Sequence, residues 1–184
     1  MGSLERYRGK RNFDVTPEPR GRVRRSGRAL RFVVQQHAAS PLHFDFRLEM
    51  EGMLKSWALP REPVAQPGEK RLAMHTEDHP VEYVDFAGGI PGGEYGGGHL
   101  DVWDAGTWIP EEPPTAAYRR GSLSFTLKGK RLRGRWSLVR IGNAQTRKKD
   151  LWLLLKRSDE AREAAPARTA ARRRAAKTGP EARR

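Results

Sequence analysis

Strict alternation of apolar and polar side chains over His43–Met50 is the feature that most constrains the fold of this chain. The apolar side chains at positions 44, 46, 48 and 50 point to one side of an extended backbone. The imidazole, carboxylate and guanidinium groups at positions 43, 45 and 47 point to the other side. Glu51 and Gly52 predict a tight turn, and Met53–Leu59 is the expected hairpin partner of this strand.

Further short apolar stretches, separated by turn-forming residues, predict more strands. They are Leu30–Gln35, Arg71–Thr76, His99–Trp103, Ser122–Lys128, Leu132–Ile141 and Leu151–Lys156. No long segment has the apolar period of about 3.6 residues that is typical of an amphipathic helix. The chain is therefore predicted to be mainly β, folded as an antiparallel barrel or sandwich.

The charged residues are unevenly distributed along the chain. The 36 basic and 22 acidic residues give a net charge of +14, yet residues 32–112 alone carry −9. An acidic segment that contains histidines suits a bound cation, and basic flanks suit a polyanion such as nucleic acid. The alternative is that the charged runs are solvated surface.

Composition also excludes several classes of protein. With 0 cysteines, the chain has no disulfides, thiolate metal site or cysteine nucleophile, which fits a reducing intracellular compartment. No apolar run approaches the length of about 20 residues that a membrane-spanning helix needs. We expect three regions: a basic N-terminal arm at 1–29, the β domain at 30–158 and a disordered basic tail at 159–184.

The polar face of His43–Met50 is the strongest candidate for a functional site. His43, Asp45 and Arg47 form a row on one face. His37 lies a short loop upstream, before a turn at Ser40 and Pro41 that could bring it back over His43. Two imidazoles and one carboxylate suit a divalent ion such as Mn²⁺, Zn²⁺ or Co²⁺, and they leave positions open for substrate. Arg47 could then bind a phosphate oxygen. The alternative is a wet strand face with an Asp45–Arg47 ion pair.

A second candidate lies in the segment His75–Tyr83. His79 precedes a proline and could contact a phosphate or, when protonated, protonate a leaving oxygen. Tyr83 could donate a hydrogen bond, and Glu77 could hold a histidine or a ribose hydroxyl. The alternative is that His79 is an ordinary surface residue.

Two further motifs have both functional and structural interpretations. The glycine-rich Gly88–His99 could present backbone N–H groups to an anion or simply form a tight loop. It lacks the Gly-Lys-Ser/Thr ending of a phosphate-binding P-loop, so ATP binding of that kind is excluded. The basic hairpin Lys128–Trp136 could follow a DNA backbone or be a solvated hairpin.

Several of these motifs together resemble a known family, the 3′-phosphoesterase module of bacterial DNA ligase D. The matching text is FVVQQHAASPLHFDFRLEMEGMLKSWALP, the segment from RLAMHTEDHPVEY to GGIPGGEYGGGHLDVWDAGTW, the hairpin GSLSFTLKGKRLRGRWSLVR, and KDLWLLLKR. The resemblance covers about residues 5–158. It implies an antiparallel β-barrel with a polar, metal-containing cavity, which we expect to lie inside the barrel.

The same resemblance assigns roles to individual residues. It makes His37, His43 and Asp45 the metal ligands, and Arg47 and His79 the phosphate-contacting pair with Tyr83 as their helper. It places Arg11, Glu18, Arg61, Arg71 and Glu77 at substrate-side positions. The chain departs from the usual pattern at Asn12, where the family usually has aspartate, and at Arg61, where lysine is usual.

The implied activity is Mn²⁺-dependent healing of 3′ ends during non-homologous end joining, with Co²⁺ or another divalent transition metal as an alternative cofactor. The enzyme would remove 3′-phosphates, and also 3′-terminal ribonucleosides if the arm works without an aspartate at position 12. The expected partners are DNA or RNA-tipped DNA 3′ ends, an end-joining ligase, a polymerase and a Ku-type end-binding protein, in the cytoplasm at the nucleoid. The alternatives are a non-catalytic module that docks DNA ends or repair partners, and a different metal hydrolase on the same scaffold.

Overall fold

The predicted hairpin is the starting point of the architecture. The computed structural model describes residues 4–142 and 150–159. Strands β2 (His43–Met50) and β3 (Met53–Leu59) form where the alternation predicts them, and Met50 pairs with Met53 across the turn. Glu51 and Gly52 both have positive φ, 54° and 76°, which is the backbone that a two-residue hairpin turn requires.

The remaining strands extend this hairpin in both directions. They are β1 (Leu30–Ala38), β4 (Lys70–His75), β5 (His79–Pro80), β6 (Gly88–Ile90), β7 (Gly98–Pro110), β8 (Ser122–Gly129), β9 (Arg133–Gly142) and β10 (Leu151–Lys156). The helical pieces are α1 (Glu5–Gly9), a 3₁₀ helix (Val81–Asp85) and α2 (Pro114–Arg120). They are too short to give a helical period in the sequence, which is why the sequence did not predict them.

Eight of the strands close into an antiparallel barrel. Their order is β1-β2-β3-β4-β10-β9-β8-β7, and β7 pairs back onto β1. The two short strands lie off this ring, β5 on β3 and β6 on β7. Closure satisfies the backbone groups that an open sheet would leave at its edges. The expectation of a mainly-β, antiparallel barrel is therefore confirmed.

Apolar side chains fill the barrel, so the polar site cannot lie inside it. Phe46, Trp57, Trp108, Trp136 and Trp152 each expose 2% or less of their surface and belong to one cluster that draws on all eight strands. An eight-stranded barrel has an interior just wide enough for such side chains. The expectation that the candidate ligands cage an ion within the barrel is wrong, because they occupy the opposite, outward face of β1 and β2.

A second apolar cluster seals that outward face. It combines side chains from α1, β1, β3, the 3₁₀ helix, β6 and β7: Tyr7, Val33, Leu54, Tyr83, Val84, Ile90 and Leu100. The arm was expected to contribute nothing to a core, but Leu4 and Tyr7 are fully buried. Because β1–β3 are covered from outside as well as inside, β2 is buried on both of its faces.

The structure describes only part of the N-terminal and C-terminal segments. Residues 160–184, which make up nearly all of the predicted disordered tail, lie outside the described residues, as do 1–3 of the arm. The boundary at 158/159 therefore stays a prediction. Among the residues that the structure describes, no helix has the length and apolarity to cross a membrane.

One partly buried histidine at the end of β4 affects stability. The Nε2 atom of His75 lies 2.8 Å from the hydroxyl oxygen of Tyr118, within hydrogen-bond distance. Burial, together with the charges of Lys55 and Arg140, lowers the pKa of His75 to about 4. His75 is therefore neutral in the folded chain at pH values where it is already protonated in the unfolded chain.

This difference predicts a loss of stability on mild acidification. A histidine with a depressed pKa stabilises the fold fully above its unfolded pKa, about 6.5, and loses that contribution as the pH falls towards its folded pKa. We expect His75 to account for about 2 kcal/mol of lost unfolding free energy between pH 7 and pH 5. Urea denaturation across this range should give a shallower pH dependence for His75→Gln than for the wild type. Equal slopes for the two proteins would contradict the assignment.

Candidate metal centre and adjoining pocket

Strand pairing brings the three candidate ligands together. His37, near the end of β1, pairs directly with His43 at the start of β2, and Asp45 lies two residues further along the same face. The expectation that the turn at Ser40 and Pro41 brings His37 back over His43 is confirmed, although β1 continues to Ala38 and does not end at Gln35. His37 Nδ1 lies 3.1 Å from His43 Nε2 and 3.6 Å from Asp45 Oδ2, and His43 Nε2 lies 3.8 Å from Asp45 Oδ1.

These spacings suit a shared divalent ion. Ligand atoms about 2.0–2.2 Å from one metal lie about 3.0–3.5 Å from each other at tetrahedral or octahedral angles. His43 Nδ1 lies 3.1 Å from the carbonyl oxygen of Pro41, so a proton on Nδ1 leaves Nε2 as a free lone pair directed at the other two ligands. The residues present therefore fit the metal that the sequence predicts.

Asp45 is held in its charged form. Burial disfavours its carboxylate, but the nearby Arg47 guanidinium and the two imidazoles outweigh burial, so the pKa of Asp45 lies below its usual value. Arg47 Nη2 lies 3.1 Å from Asp45 Oδ2. An ionised carboxylate and two imidazoles are a suitable donor set for Mn²⁺, Co²⁺ or Zn²⁺.

Arg47 is a buried cation whose orientation is fixed. Its Nε donates to Gln35 Oε1 at 2.8 Å, and its guanidinium lies 4.8 Å from the ring centre of Tyr83. Gln35 in turn donates to the carbonyl oxygens of Tyr83 and Phe86 at 3.1 and 2.7 Å. Sequence reasoning assigned no role to Gln35, although it lies two residues before His37 and therefore on the same face of β1.

His79 lies between two guanidinium groups. Its Nδ1 is 3.0 Å from Arg47 Nη1, and its Nε2 is 3.3 Å from Arg11 Nη2. Burial, reinforced by the charges of Arg47 and Arg11, holds the pKa of His79 far below its ordinary value. The electrostatics of the free protein therefore favour a neutral His79.

The N-terminal arm supplies the second arginine and fixes it in place. Arg11 Nε donates to Glu18 at 2.8 Å, Nη1 lies 3.3 Å from Glu77, and the guanidinium lies 3.9 Å from the ring centre of Tyr7. The hydroxyl of Tyr83 also donates to Glu18, at 2.7 Å. Glu18 does not line the pocket. It holds in position two side chains that do.

Two predicted substrate-side residues lie apart from this group. Arg61 is exposed and does not line the pocket. Arg71 donates to the carbonyl oxygen of Glu62 and to the carboxylate of Glu69, and it also lies outside the pocket. Their substrate roles stay predictions. Asn12 is exposed as well, and its Oδ1 accepts a hydrogen bond from the backbone of Asp14, so it shapes a turn in the arm.

Apart from Glu18, Arg61 and Arg71, all the predicted site residues line one cavity of about 220 Å³. Its charged and polar lining comprises Arg11, His37, His43, Asp45, Arg47, Thr76, Glu77, His79 and Tyr83. Clefts that hold drug-sized ligands usually exceed about 300 Å³. This cavity is therefore suited to the terminal group of a larger molecule.

The glycine-rich segment contributes to the cavity lining, whereas the basic hairpin does not. The hairpin of β8 and β9 lies across the barrel, separated from β1–β3 by β7 on one side and by β10 and β4 on the other. Its proposed contact with DNA stays a prediction. The glycine-rich segment forms a loop between β6 and β7, and Tyr95 and Gly96 of that loop line the cavity.

The fold is a closed antiparallel barrel, and on its outer face a cluster of two histidines and one aspartate lies beside a pocket lined by two arginines. The family described as the DNA ligase D 3′-phosphoesterase domain matches residues 35–140, more than half of the chain. The chain belongs to this family, as the resemblance in its motifs implied.

Curated relatives agree with this assignment. The chain is 50% identical over 158 residues to the multifunctional non-homologous end joining protein LigD of Pseudomonas aeruginosa, which covers 85% of the chain and 19% of that protein. It is 40% identical over 164 residues to LigD of Mycolicibacterium smegmatis, covering 85% and 21% of the two chains. It is 41% identical over 155 residues to LigD of Mycobacterium tuberculosis, covering 82% and 19%. The chain thus spans about a fifth of the length of these relatives.

The buried network around Glu18 leads to a stability prediction. The Glu18→Gln variant keeps one oxygen acceptor but removes the charge that balances Arg11. A hydrogen bond to a charged group contributes about 1.5–3 kcal/mol, so we expect the free energy of unfolding to fall by about 1–3 kcal/mol in urea denaturation. The matched control is Glu69→Gln, which makes the same change in an exposed ion pair with Arg71 and should have little effect. Equal losses in the two variants would contradict the structural role of Glu18.

Proposed function

We propose that this chain is a metal-dependent phosphoesterase that removes 3′-phosphates from DNA ends and leaves 3′-hydroxyl groups for end joining. The observation that carries the proposal is the convergence of Arg11, Arg47 and His79 with the His37–His43–Asp45 cluster on one cavity of about 220 Å³. Membership of the 3′-phosphoesterase family supports the same reaction class. A cavity of this size favours a terminal phosphate over a phosphate within a duplex.

The two arginines are prepared to receive a phosphate before it arrives. Gln35 fixes Arg47, and Glu18 fixes Arg11, at 2.8 Å in both cases. A guanidinium presents parallel N–H donors that match two oxygens of a phosphate. Because these donors are held by the fold and shielded from water, they need little reorganisation when negative charge develops during the reaction.

The metal would be held by His37, His43 and Asp45. A divalent ion such as Mn²⁺ or Co²⁺ supplies a Lewis acid that polarises a phosphoryl oxygen. Arg47 forms an ion pair with Asp45 of this centre. It also contacts His79, because Arg47 Nη1 lies 3.0 Å from His79 Nδ1. A phosphate bound between the centre and Arg47 therefore also lies within reach of His79.

His79 is suited to moving a proton during the reaction. In the free protein, burial and the charges of the two arginines keep the pKa of His79 low and the ring neutral. A bound phosphate brings negative charge that offsets the arginines, and the pKa of His79 rises as a result. The imidazole can then hold a proton and deliver it to the leaving 3′-oxygen.

Removal of 3′-terminal ribonucleosides is a second proposed activity of the same site. The arm residues Arg11 and Glu18 are present and buried, with side-chain exposures of 4% and 0%. Asn12 is exposed and lies outside the pocket. Its difference from the usual aspartate therefore leaves the pocket unchanged, which favours retention of this step.

We extend the proposal to partners in end joining. The curated relatives are described as multifunctional in non-homologous end joining. This chain would act on DNA ends alongside ligase, polymerase and Ku-type end-binding activities carried on other segments or other chains. A purely docking role is the rival, and the complete set of pocket side chains argues against it.

The decisive test changes one candidate ligand. Asp45→Asn preserves size but removes the charge that a divalent ion needs, so Mn²⁺ affinity and phosphate release should each fall more than about 100-fold. The control is Asp101→Asn, an exposed carboxylate on β7 that should leave both unchanged. Mn²⁺ binding can be followed by electron paramagnetic resonance, and turnover by conversion of a 3′-phosphate primer to a 3′-hydroxyl primer.

Two outcomes would contradict the proposal. Normal turnover by Asp45→Asn would refute the ligand assignment. DNA binding by the wild type without phosphate release under any divalent ion would favour the docking role instead.

A further inference from the structure

One side of the pocket is apolar and has no role in holding a metal or a phosphate. It is formed by Ala39, Ile90, Tyr95, Gly96 and Leu100, which we call the apolar side. Leu100 belongs to β7, which pairs with β1 on the edge away from β2, and Ile90 belongs to β6, which pairs with β7. The apolar side thus adjoins the ligand cluster, because Leu100 pairs directly with His37.

Tyr95 is the large side chain at the open part of the apolar side. Its ring is 48% exposed, although Ile90 and Leu100 beside it are buried. Its hydroxyl accepts a hydrogen bond from Lys10 at 2.8 Å, and Lys10 is also paired with Glu77 at 3.0 Å. The ring is therefore held at the mouth of the pocket.

The segment that follows Tyr95 packs closely against the end of β1. Gly98, with φ of +140°, lies so close that a Cβ atom there would be 2.7 Å from the carbonyl oxygen of Ala38. Backbone hydrogen bonds from Glu94 to Pro91 and from Gly97 to Glu94 close the turn around Tyr95. The glycine-rich sequence thus brings an aromatic ring close to the metal-ligand hairpin.

The distance from Tyr95 to the phosphate-binding groups suits a single nucleotide. The Arg11 guanidinium lies 5.5 Å from the centre of the Tyr95 ring. A 3′-phosphate held at Arg11 and Arg47 leaves its own sugar and base pointing out of the small cavity. The nearest exposed aromatic surface that this base can meet is Tyr95.

We propose that the apolar side is a subsite for the 3′-terminal nucleoside, in which the ring of Tyr95 stacks on the terminal base. The inference rests on the proposed function, because it takes the phosphate position from it. Every base has a π-face, so such a platform tolerates any sequence and suits an enzyme that meets varied ends. The subsite recognises an unpaired or frayed terminal nucleotide.

The test compares DNA ends with and without a terminal base. Binding is measured for 3′-phosphate DNA with a normal terminal nucleotide and for the same DNA with an abasic terminal nucleotide, without divalent ions so that no turnover occurs. For the normal end, Tyr95→Ala should weaken binding about 5- to 100-fold. For the abasic end, wild type and Tyr95→Ala should bind within about twofold of each other.

Two further variants separate stacking from other causes. Tyr95→Phe keeps the ring and loses only the Lys10 hydrogen bond, so it should bind like the wild type. Ile109→Ala removes an equally exposed side chain, also 48% exposed, from the other end of β7 and should have no effect. An equal loss for normal and abasic ends in Tyr95→Ala, or no loss at all, would overturn the subsite.

A local fluorescence signal makes the result independent of catalysis. A 2-aminopurine base at the 3′ terminus should change its emission on binding to the wild type and to Tyr95→Phe, but not on binding to Tyr95→Ala. The same base placed several nucleotides inside the strand should respond equally to all three proteins. If the fluorescence pattern holds while no variant releases phosphate, the proposed hydrolysis fails and the nucleoside subsite stands. If phosphate is released normally but the terminal signal does not depend on Tyr95, the subsite fails alone.

Discussion

Burial of both faces of β2 is the constraint on which the rest of this structure depends. Its even-numbered side chains fill the barrel, and its odd-numbered side chains lie under the N-terminal arm and the 3₁₀ helix. A polar row on a buried face is costly unless every group finds a partner. His43, Asp45 and Arg47 find partners in one another and in Gln35, His37 and His79.

The arm turns this strand face into a pocket. Without it, Arg47 and His79 would face water, where ion pairs contribute little. The arm adds Tyr7 as an apolar cover and Arg11 as a second cation, and Glu18 and Glu77 balance that cation. The pocket is therefore lined by two buried guanidinium groups, each balanced by nearby carboxylates, and their N–H donors face a site that an anion can occupy. Preorganisation of this kind lets a pocket stabilise developing charge without moving.

The sequence predicted the strands well because alternation records the local environment of each side chain. It placed the β2–β3 hairpin at its observed bounds and named every charged residue of the pocket. The sequence did not predict the features that depend on contacts between residues far apart in the chain. Alternation defines two faces of β2 but does not say which one lies inside the barrel, and here both are buried. Tyr7 and Gln35 escaped notice because their roles come from contacts with the 3₁₀ helix and with Arg47, far away in the chain.

The position of the pocket on the outside of the barrel accounts for the selectivity for DNA ends that we propose. The barrel interior is filled by tryptophan and phenylalanine side chains and has no room for a substrate. An exposed sheet face would admit any phosphate of a duplex. Covering that face with the arm on one side and the Tyr95 loop on the other reduces it to a cavity of about 220 Å³. Only the last phosphate of a strand would enter such a cavity while the neighbouring nucleotides stay outside. The proposed selectivity for ends would therefore follow from the arm and the Tyr95 loop that cover the sheet, and the proposed chemistry from the residues of β1 and β2 beneath them.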